Sequence, residues 1–174
     1  MTAQQLAARF ALTHQFLLKV ADTSTDDDLR WLAGPTSPPI GFHLWHCARW
    51  ADRWAEALGA PQQVWTRDRL ADAWHFPAAL GAGDTGMEMP DEAATALPIP
   101  DRAALRTYMA AAFAELERAL GGLDDARLLE VDGLAGEDAP LGESLLRQLS
   151  HANRHLGMVE ALRGVRGGRG TVTI

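Results

Sequence analysis

The chain has 174 residues, of which 47% are hydrophobic and 22% charged, values that suit a globular domain and exclude a disordered chain. Its formal net charge of −7, without a basic stripe, argues against nucleic acid as a partner. The single cysteine excludes a disulfide framework, and no apolar run reaches the roughly 20 residues that span a bilayer, so we expect a cytoplasmic protein with no membrane partner.

Two long helices are predicted in the first half of the chain. The first covers about residues 2–20, and a short helix is expected around residues 29–33. The second begins near Pro38 and Pro39, since proline is tolerated in the first turn of a helix, and it continues to about residue 58, where a Gly-Ala-Pro sequence follows.

A connection of about forty residues with poor periodicity comes next, and a connection of this length in a compact domain is often functional. This crossover, residues 59–100, contains Trp65, Trp74, His75 and Phe76, which make it too apolar for a free loop. We expect these four residues to fold over the histidine-bearing end of the bundle and to form one wall of its pocket. The length of the crossover also lets the next helix run parallel to the preceding one.

Two more long helices are predicted in the second half. The third begins after Pro100 with Asp101 as its N-cap and ends at about residue 120. The fourth covers about residues 141–163, and residues 164–174 are predicted to form a C-terminal tail with an extended end. These elements predict an all-α fold, a four-helix bundle with one long crossover between its second and third helices, in a single domain over residues 1–174.

Two histidines four residues apart on the fourth helix, His151 and His155, are the most informative feature of the chain. Successive residues of an α-helix are separated by about 100°, so the two imidazoles project from one face, about 40° apart, at the edge of the apolar stripe. A helix with this spacing can offer two nitrogen ligands to one metal ion.

The second helix carries two further histidines, His43 and His46. A helical wheel places His46 at the edge of the apolar stripe, as on the fourth helix, and His43 further into the stripe. We therefore predict a metal site between facing helices with His46, His151 and His155 as its ligands. Three protein ligands leave positions for water or substrate, which is typical of a catalytic rather than a structural site.

This histidine pattern has other interpretations. A His-x-x-x-His pair is common on helices, and this pair lacks the glutamate of the zincin motif because Ala152 follows His151. His43 is either a fourth ligand or a buried histidine with a hydrogen-bond partner, and the second interpretation is favoured. Cys47 points about 100° away from His46 on the helix and is interpreted as a core residue.

Three stretches of sequence resemble the DinB-like superfamily: IGFHLWH at residues 40–46, with Arg49 and Asp52 after it, HANRHLGMVEALRG at residues 151–164, and RGT at residues 169–171. The resemblance covers nearly the whole chain. It implies a four-helix bundle with up-down-down-up order and a divalent metal, usually nickel, zinc or iron, held by three histidines. These histidines correspond here to His46, His151 and His155.

Members of this superfamily include thiol S-transferases that use bacillithiol or mycothiol, a mycothiol-dependent isomerase and metal-dependent hydrolases, and they often form dimers. From the resemblance and from the distribution of carboxylates described next, we expect a homodimeric, metal-dependent transferase that acts on a small-molecule substrate with a low-molecular-weight thiol. A metal-dependent hydrolase and a non-enzymatic metal-binding stress protein are the alternatives. Arg49 and Arg53 lie near the His46 face, where they either bind a carboxylate of the thiol cofactor or pair with Asp52 and Glu56.

The distribution of carboxylates bears on the reaction class. Glu160 falls about 180° from His151 on the fourth helix, so no built-in base shares the histidine face. This modestly favours a thiol that arrives as the nucleophile over hydrolysis, although Asp84 or Glu88 of the crossover could still supply a base.

Overall fold

The computed structural model of the chain describes residues 1–81, 83–131, 133 and 138–171, and these residues form α-helices and one 3₁₀ turn but no β-strand. The predicted all-α class is confirmed. None of these helices is long and apolar enough to cross a membrane. In chain order the helices are α1 (Ala3–Thr23), α2 (Asp26–Arg30), α3 (Ile40–Ala57), α4 (Val64–Arg67), α5 (Leu70–Ala73), α6 (Asp91–Thr95), α7 (Arg102–Gly121) and α8 (Leu141–Val165), with the 3₁₀ turn at Arg127–Leu129.

Capping residues explain where several helices begin. The short helix predicted around residues 29–33 lies earlier, as α2, because the Thr25 hydroxyl accepts a hydrogen bond from the Asp28 N–H and the Asp28 carboxylate accepts one from the Thr25 N–H. The prediction for α7 is confirmed, since the Asp101 carboxylate accepts a hydrogen bond from the N–H of Ala104. The four long helices lie where the sequence predicts them, with ends that differ by at most three residues.

The four long helices pack around one core. Helices α1 and α3 each contact both α7 and α8, so every long helix has two long neighbours. Burial of apolar side chains between them supplies the main driving force for folding. The largest apolar side chains with almost no exposure include Phe10, Leu17, Leu44, Trp45, Met109 and Phe113.

A buried carboxylate of α3 orders the first part of the crossover. Asp52 accepts hydrogen bonds from the N–H groups of Val64 and Trp65, each at 2.8 Å, and these contacts begin α4. The Trp65 ring then packs against the rings of Trp74 and Phe76, with centroids 5.6 Å and 5.4 Å away. The crossover thus contains short helices and adds an aromatic layer to the core.

Helix α8 extends two residues beyond Arg163, so the first residues of the predicted tail are helical. The rest of the described tail returns to the bundle. Thr171 is buried, and its N–H and hydroxyl both donate hydrogen bonds to the carboxylate of Glu160. The Lys19 ammonium of α1 donates to the Thr171 carbonyl at 3.1 Å. Residues 172–174, on which the predicted extended end falls, lie outside the described residues.

Candidate metal centre

The crossover holds the ring of His46, which lies on the buried face of α3. Its Nδ1 donates a hydrogen bond to the carbonyl oxygen of Thr85, and Thr85 itself is fully buried. Gly86 follows with a φ of +84°, and a Cβ at this position would lie 2.8 Å from the Trp45 ring. Glycine therefore permits the close approach that brings the Thr85 carbonyl to His46. With its proton on Nδ1, neutral His46 has its lone pair on Nε2.

The Nε2 atom of His46 meets the two histidines of α8. It lies 3.0 Å from Nε2 of His151, which in turn lies 3.0 Å from Nε2 of His155. The three ligand atoms all lie within 4.8 Å of one another. Nitrogens that are each roughly 2.0–2.1 Å from one ion must be roughly 3–4 Å from one another, so this spacing fits a shared ion.

His43 lies behind His155 instead of joining the other histidines. Its Nδ1 is 2.9 Å from Nδ1 of His155, and it also forms a hydrogen bond with the backbone of Pro38. When the His43 proton is directed to Pro38, the His43 Nδ1 accepts the N–H of His155. His43 is then a buried histidine with a hydrogen-bond partner, the interpretation that the sequence favours.

Proton counting favours a cation between the three Nε2 atoms. His46 carries its proton on Nδ1, because the Thr85 carbonyl can only accept, and His155 does so when it donates to His43. Each then presents a lone pair to Nε2 of His151. That nitrogen carries at most one proton, and it cannot satisfy both lone pairs by hydrogen bonding. A divalent ion can accept all three lone pairs at once, and imidazole ligands suit nickel, zinc and iron. The residues present therefore fit the metal that the sequence predicts.

Burial keeps these imidazoles neutral. Desolvation is the largest cause that lowers the pKa of His46 to about 3, that of His151 to about 4 and that of His155 to about 2. Arg154 lowers the pKa of both α8 histidines further. Among the described residues, no carboxylate contributes to these three shifts. Neutral imidazole is the form that binds a metal, so the site is ready for one at neutral pH.

Two clefts flank Trp50 of α3, whose ring packs edge-on against His151 with centroids 5.8 Å apart. The larger cleft has a volume of about 410 Å³ and is lined by Arg49, Arg53 and Asp84, among others. The smaller cleft has a volume of about 190 Å³ and reaches His151. Trp50 and Trp54 line both clefts, but only the smaller cleft is lined by one of the three histidines, His151.

Arg49 and Arg53, both predicted to bind a thiol cofactor, are held differently in the larger cleft. Arg49 is buried, and its guanidinium makes four hydrogen bonds, to Asp52, Gln63, the hydroxyl of Tyr108 and the carbonyl of Asp84. Arg53 is partly exposed; it donates to the Gly83 carbonyl at 3.0 Å and lies 5.5 Å above the Trp50 ring. Arg49 therefore mainly ties α3 to the crossover, whereas Arg53 retains donors for a ligand. The cofactor role of both residues stays a prediction.

The crossover residues beside the histidines differ from those predicted. Thr85 contacts His46, and Met87 lines the smaller cleft. Trp65 reaches only the larger cleft, because its ring packs against Tyr108 of α7, and His75 is exposed. The sequence carries only a weak signal for Thr85, the Gly-Asp-Thr-Gly turn at residues 83–86. Arg154 was also missed, although its place between His151 and His155 could have identified it.

Comparison with known proteins agrees with this architecture. The family model of the DinB superfamily matches residues 9–159. The structure of a conserved protein from Enterococcus faecalis is similar over 94% of this chain and 96% of its own, with 19% identity and a TM-score of 0.79. A DinB-like protein from Bacillus cereus is similar over 99% and 98% of the two chains, with 15% identity and a TM-score of 0.68. At these identities the likeness shows a shared fold. No curated protein matches the chain.

Proposed function

Because the chain belongs to the DinB superfamily, we propose that it is a divalent-metal-binding protein whose ion is held by His46, His151 and His155. One observation carries the proposal: the Nε2 atoms of these residues converge, with two separations of 3.0 Å. The Nδ1 atoms of His46 and His155 already have partners in Thr85 and His43. Such outer hydrogen bonds orient histidine ligands and leave Nε2 for the ion.

Metal analysis of protein purified without a histidine tag tests this proposal and identifies the ion, for which nickel, zinc and iron are the candidates. His151→Ala, alone or combined with His155→Ala, should lose most of the bound metal. His14→Ala is the matched control, because His14 is a buried histidine of α1 whose polar partner is Glu117. Full metal occupancy in the double variant would overturn the proposal.

We further propose a transferase that uses a low-molecular-weight thiol, such as mycothiol or bacillithiol, to attack a small electrophile. An ion at three neutral imidazoles would keep its full charge and would lower the pKa of a thiol bound to it. No carboxylate among the described residues acts on the three histidines, and Glu160 is engaged by Thr171. The lack of a neighbouring base supports a nucleophile that arrives with the cofactor. Arg53 lines the larger cleft and keeps free donors, which supports it as the residue that binds a carboxylate of that thiol.

Cobalt-substituted protein distinguishes the reaction classes. Thiol transfer predicts a change in the cobalt spectrum when low-molecular-weight thiols are added. A hydrolase, which Asp84 in the larger cleft supports as the alternative, predicts ester hydrolysis without any thiol. A non-enzymatic stress protein predicts neither the spectral change nor ester hydrolysis. It also predicts a metal site that is closed to exchangeable water. An unchanged spectrum with thiols, in protein that contains cobalt, would overturn the thiol proposal.

We also infer the up-down-down-up order of the four long helices. Contacts between α1 and α7 join His14 to Glu117 and Asp22 to Arg106, which supports antiparallel packing. Contacts between α3 and α8 join His43 to His155 and Trp50 to His151, which also supports antiparallel packing. Contacts between α1 and α8 join Thr13 to Asn153 and Val20 to Arg163, as parallel helices would. The long crossover is what allows α3 and α7 to point the same way.

A homodimer with two-fold symmetry completes the proposal. An exposed apolar surface of α8 supports it: Met158 is 48% exposed and Val165 72%, and both line one shallow depression beside Pro38. Association through this surface would remove these side chains from water. Sedimentation at micromolar protein should show a dimer, and a monomer would overturn this part of the proposal.

A further inference from the structure

The smaller cleft lies beside the candidate metal site and has its own chemistry. It is lined by His151, by Trp50 and Trp54 of α3, and by Arg147 and Arg154 of α8. A molecule in this cleft would touch aromatic surface, guanidinium groups and one of the three converging imidazoles. Aromatic walls with a few placed polar groups are typical of small-molecule sites.

Arg154 supplies a positive charge that no neighbouring acid offsets. In the part of the chain that the structure describes, Arg154 forms no ion pair with a carboxylate and donates no hydrogen bond. Arg147, by contrast, pairs with Glu143. The guanidinium of Arg154 is exposed and lines the cleft. Without an acidic partner among the described residues, in a chain with a net charge of −7, it points to an anionic ligand.

Two buried nitrogens at the cleft also lack acceptors. Neither Nε1 of Trp50 nor Nδ1 of His151 has a hydrogen-bond partner among the described residues. When His151 offers Nε2 to an ion, its Nδ1 carries the proton, so both atoms are N–H donors. Both nitrogens have almost no accessible surface, so a ligand in the cleft would meet the guanidinium of Arg154 and the indole faces instead.

We propose that the smaller cleft binds a small, flat organic acid, with its carboxylate on Arg154 and its apolar part against Trp50 and Trp54. This inference rests on the proposed function, in which the acid is the small-molecule substrate. A carboxylate suits Arg154 because its two oxygens match the guanidinium fork. The indole faces suit a flat apolar group, and the volume of about 190 Å³ limits its size. The nearby larger cleft, lined by Arg53, remains available for the thiol.

Benzoate binding tests the cleft, with benzamide as the neutral probe of the same shape. Calorimetry on wild-type protein and on the Arg154→Gln variant should show benzoate binding weakened at least tenfold by the substitution. Arg118→Gln is the control, because Arg118 is a 62% exposed arginine of α7, outside the cleft. Benzamide should bind at least tenfold more weakly than benzoate to wild type and should be insensitive to either substitution.

Titrations of metal-free and zinc-loaded protein separate this inference from the metal proposal. Arg154-dependent benzoate binding in metal-free protein supports the cleft whatever the metal analysis shows. A wild-type protein that binds no metal would overturn the proposed metal centre. The cleft proposal is overturned if wild-type protein does not bind benzoate or binds benzoate and benzamide with equal affinity. It is also overturned if wild type and Arg154→Gln bind benzoate equally well. Thermal melts of each variant establish that the compared proteins are folded.

Discussion

His43 and His155 meet through their Nδ1 atoms, 2.9 Å apart. One of these nitrogens must donate and the other must accept, and when the proton of His43 is on Nε2, its Nδ1 accepts from His155. The proton of His155 then stays on Nδ1, and its Nε2 points a lone pair at His151. His43 thus positions His155 without belonging to the converging set.

His43→Phe should weaken metal binding about 10- to 100-fold, the usual effect of removing a partner behind a histidine ligand. The phenyl ring fills the space but accepts no hydrogen bond, so His155 loses the group that orients it. His43→Gln should retain most of the affinity, because its amide oxygen can accept the same N–H. Zinc competition with a chelating dye measures the affinities, and His14→Phe is the control. A His43→Phe protein with wild-type affinity would show that His43 has no positioning role.

Gly86→Ala should reduce both stability and metal affinity. The added Cβ would lie 2.8 Å from the Trp45 ring and 3.1 Å from Phe42, so the turn that holds Thr85 against His46 must shift. Strained backbone at positive φ costs about 1–3 kcal/mol of the free energy of unfolding. Gly59→Ala is the control, since Gly59 has a φ of +104° but no neighbour within 4 Å. Urea denaturation should show the larger loss for Gly86→Ala, and only this variant should bind metal more weakly; equal effects would contradict the prediction.

Asp52→Ala should lower the free energy of unfolding by about 3–5 kcal/mol, the range for breaking a buried ion pair. The Asp52 carboxylate accepts from two backbone N–H groups, from Arg49 and from Tyr108, and all four donors would be left buried. Asp72→Ala should cost less than about 1 kcal/mol, because its pair with Arg69 is exposed. Comparable losses in the two variants, measured by urea denaturation, would rule out Asp52 as the anchor of the crossover.

Stability of the metal-free protein should fall in acid partly because of His14. Burial lowers the pKa of His14 below 6.5 by more than the hydrogen bond with Glu117 raises it. The unfolded chain therefore takes up a proton that the folded chain excludes, so the free energy of unfolding falls as the pH drops below about 6.5 and levels off below the folded pKa. His14→Gln should make this decline shallower by at most about 1.4 kcal/mol per pH unit. Urea denaturation across this pH range with a chelator present provides the measurement, and identical slopes would show that His14 does not contribute.

The apolar periodicity of the sequence was sufficient to predict the four long helices and to select the three histidines that converge. The angle between His151 and His155 depends only on helix geometry, and the edge position of His46 follows from which side chains of its own helix are apolar. Capping likewise acts within a few residues, which is why Asp101 could be identified as the start of α7. Such features are local in the chain, and the sequence alone therefore determined them.

Contacts between distant residues were decided only by the tertiary structure. Thr85 meets His46 across 39 positions, and His155 meets His43 across 112. A helical wheel gives the direction of each side chain about its own axis, but it does not give the neighbouring helix or the height at which two helices meet. The burial of Arg49, the proton positions on the imidazoles and the cleft at Arg154 all depend on that packing. They arise because the long helices and the crossover bury one shared core, and no local pattern encodes which groups this burial brings together.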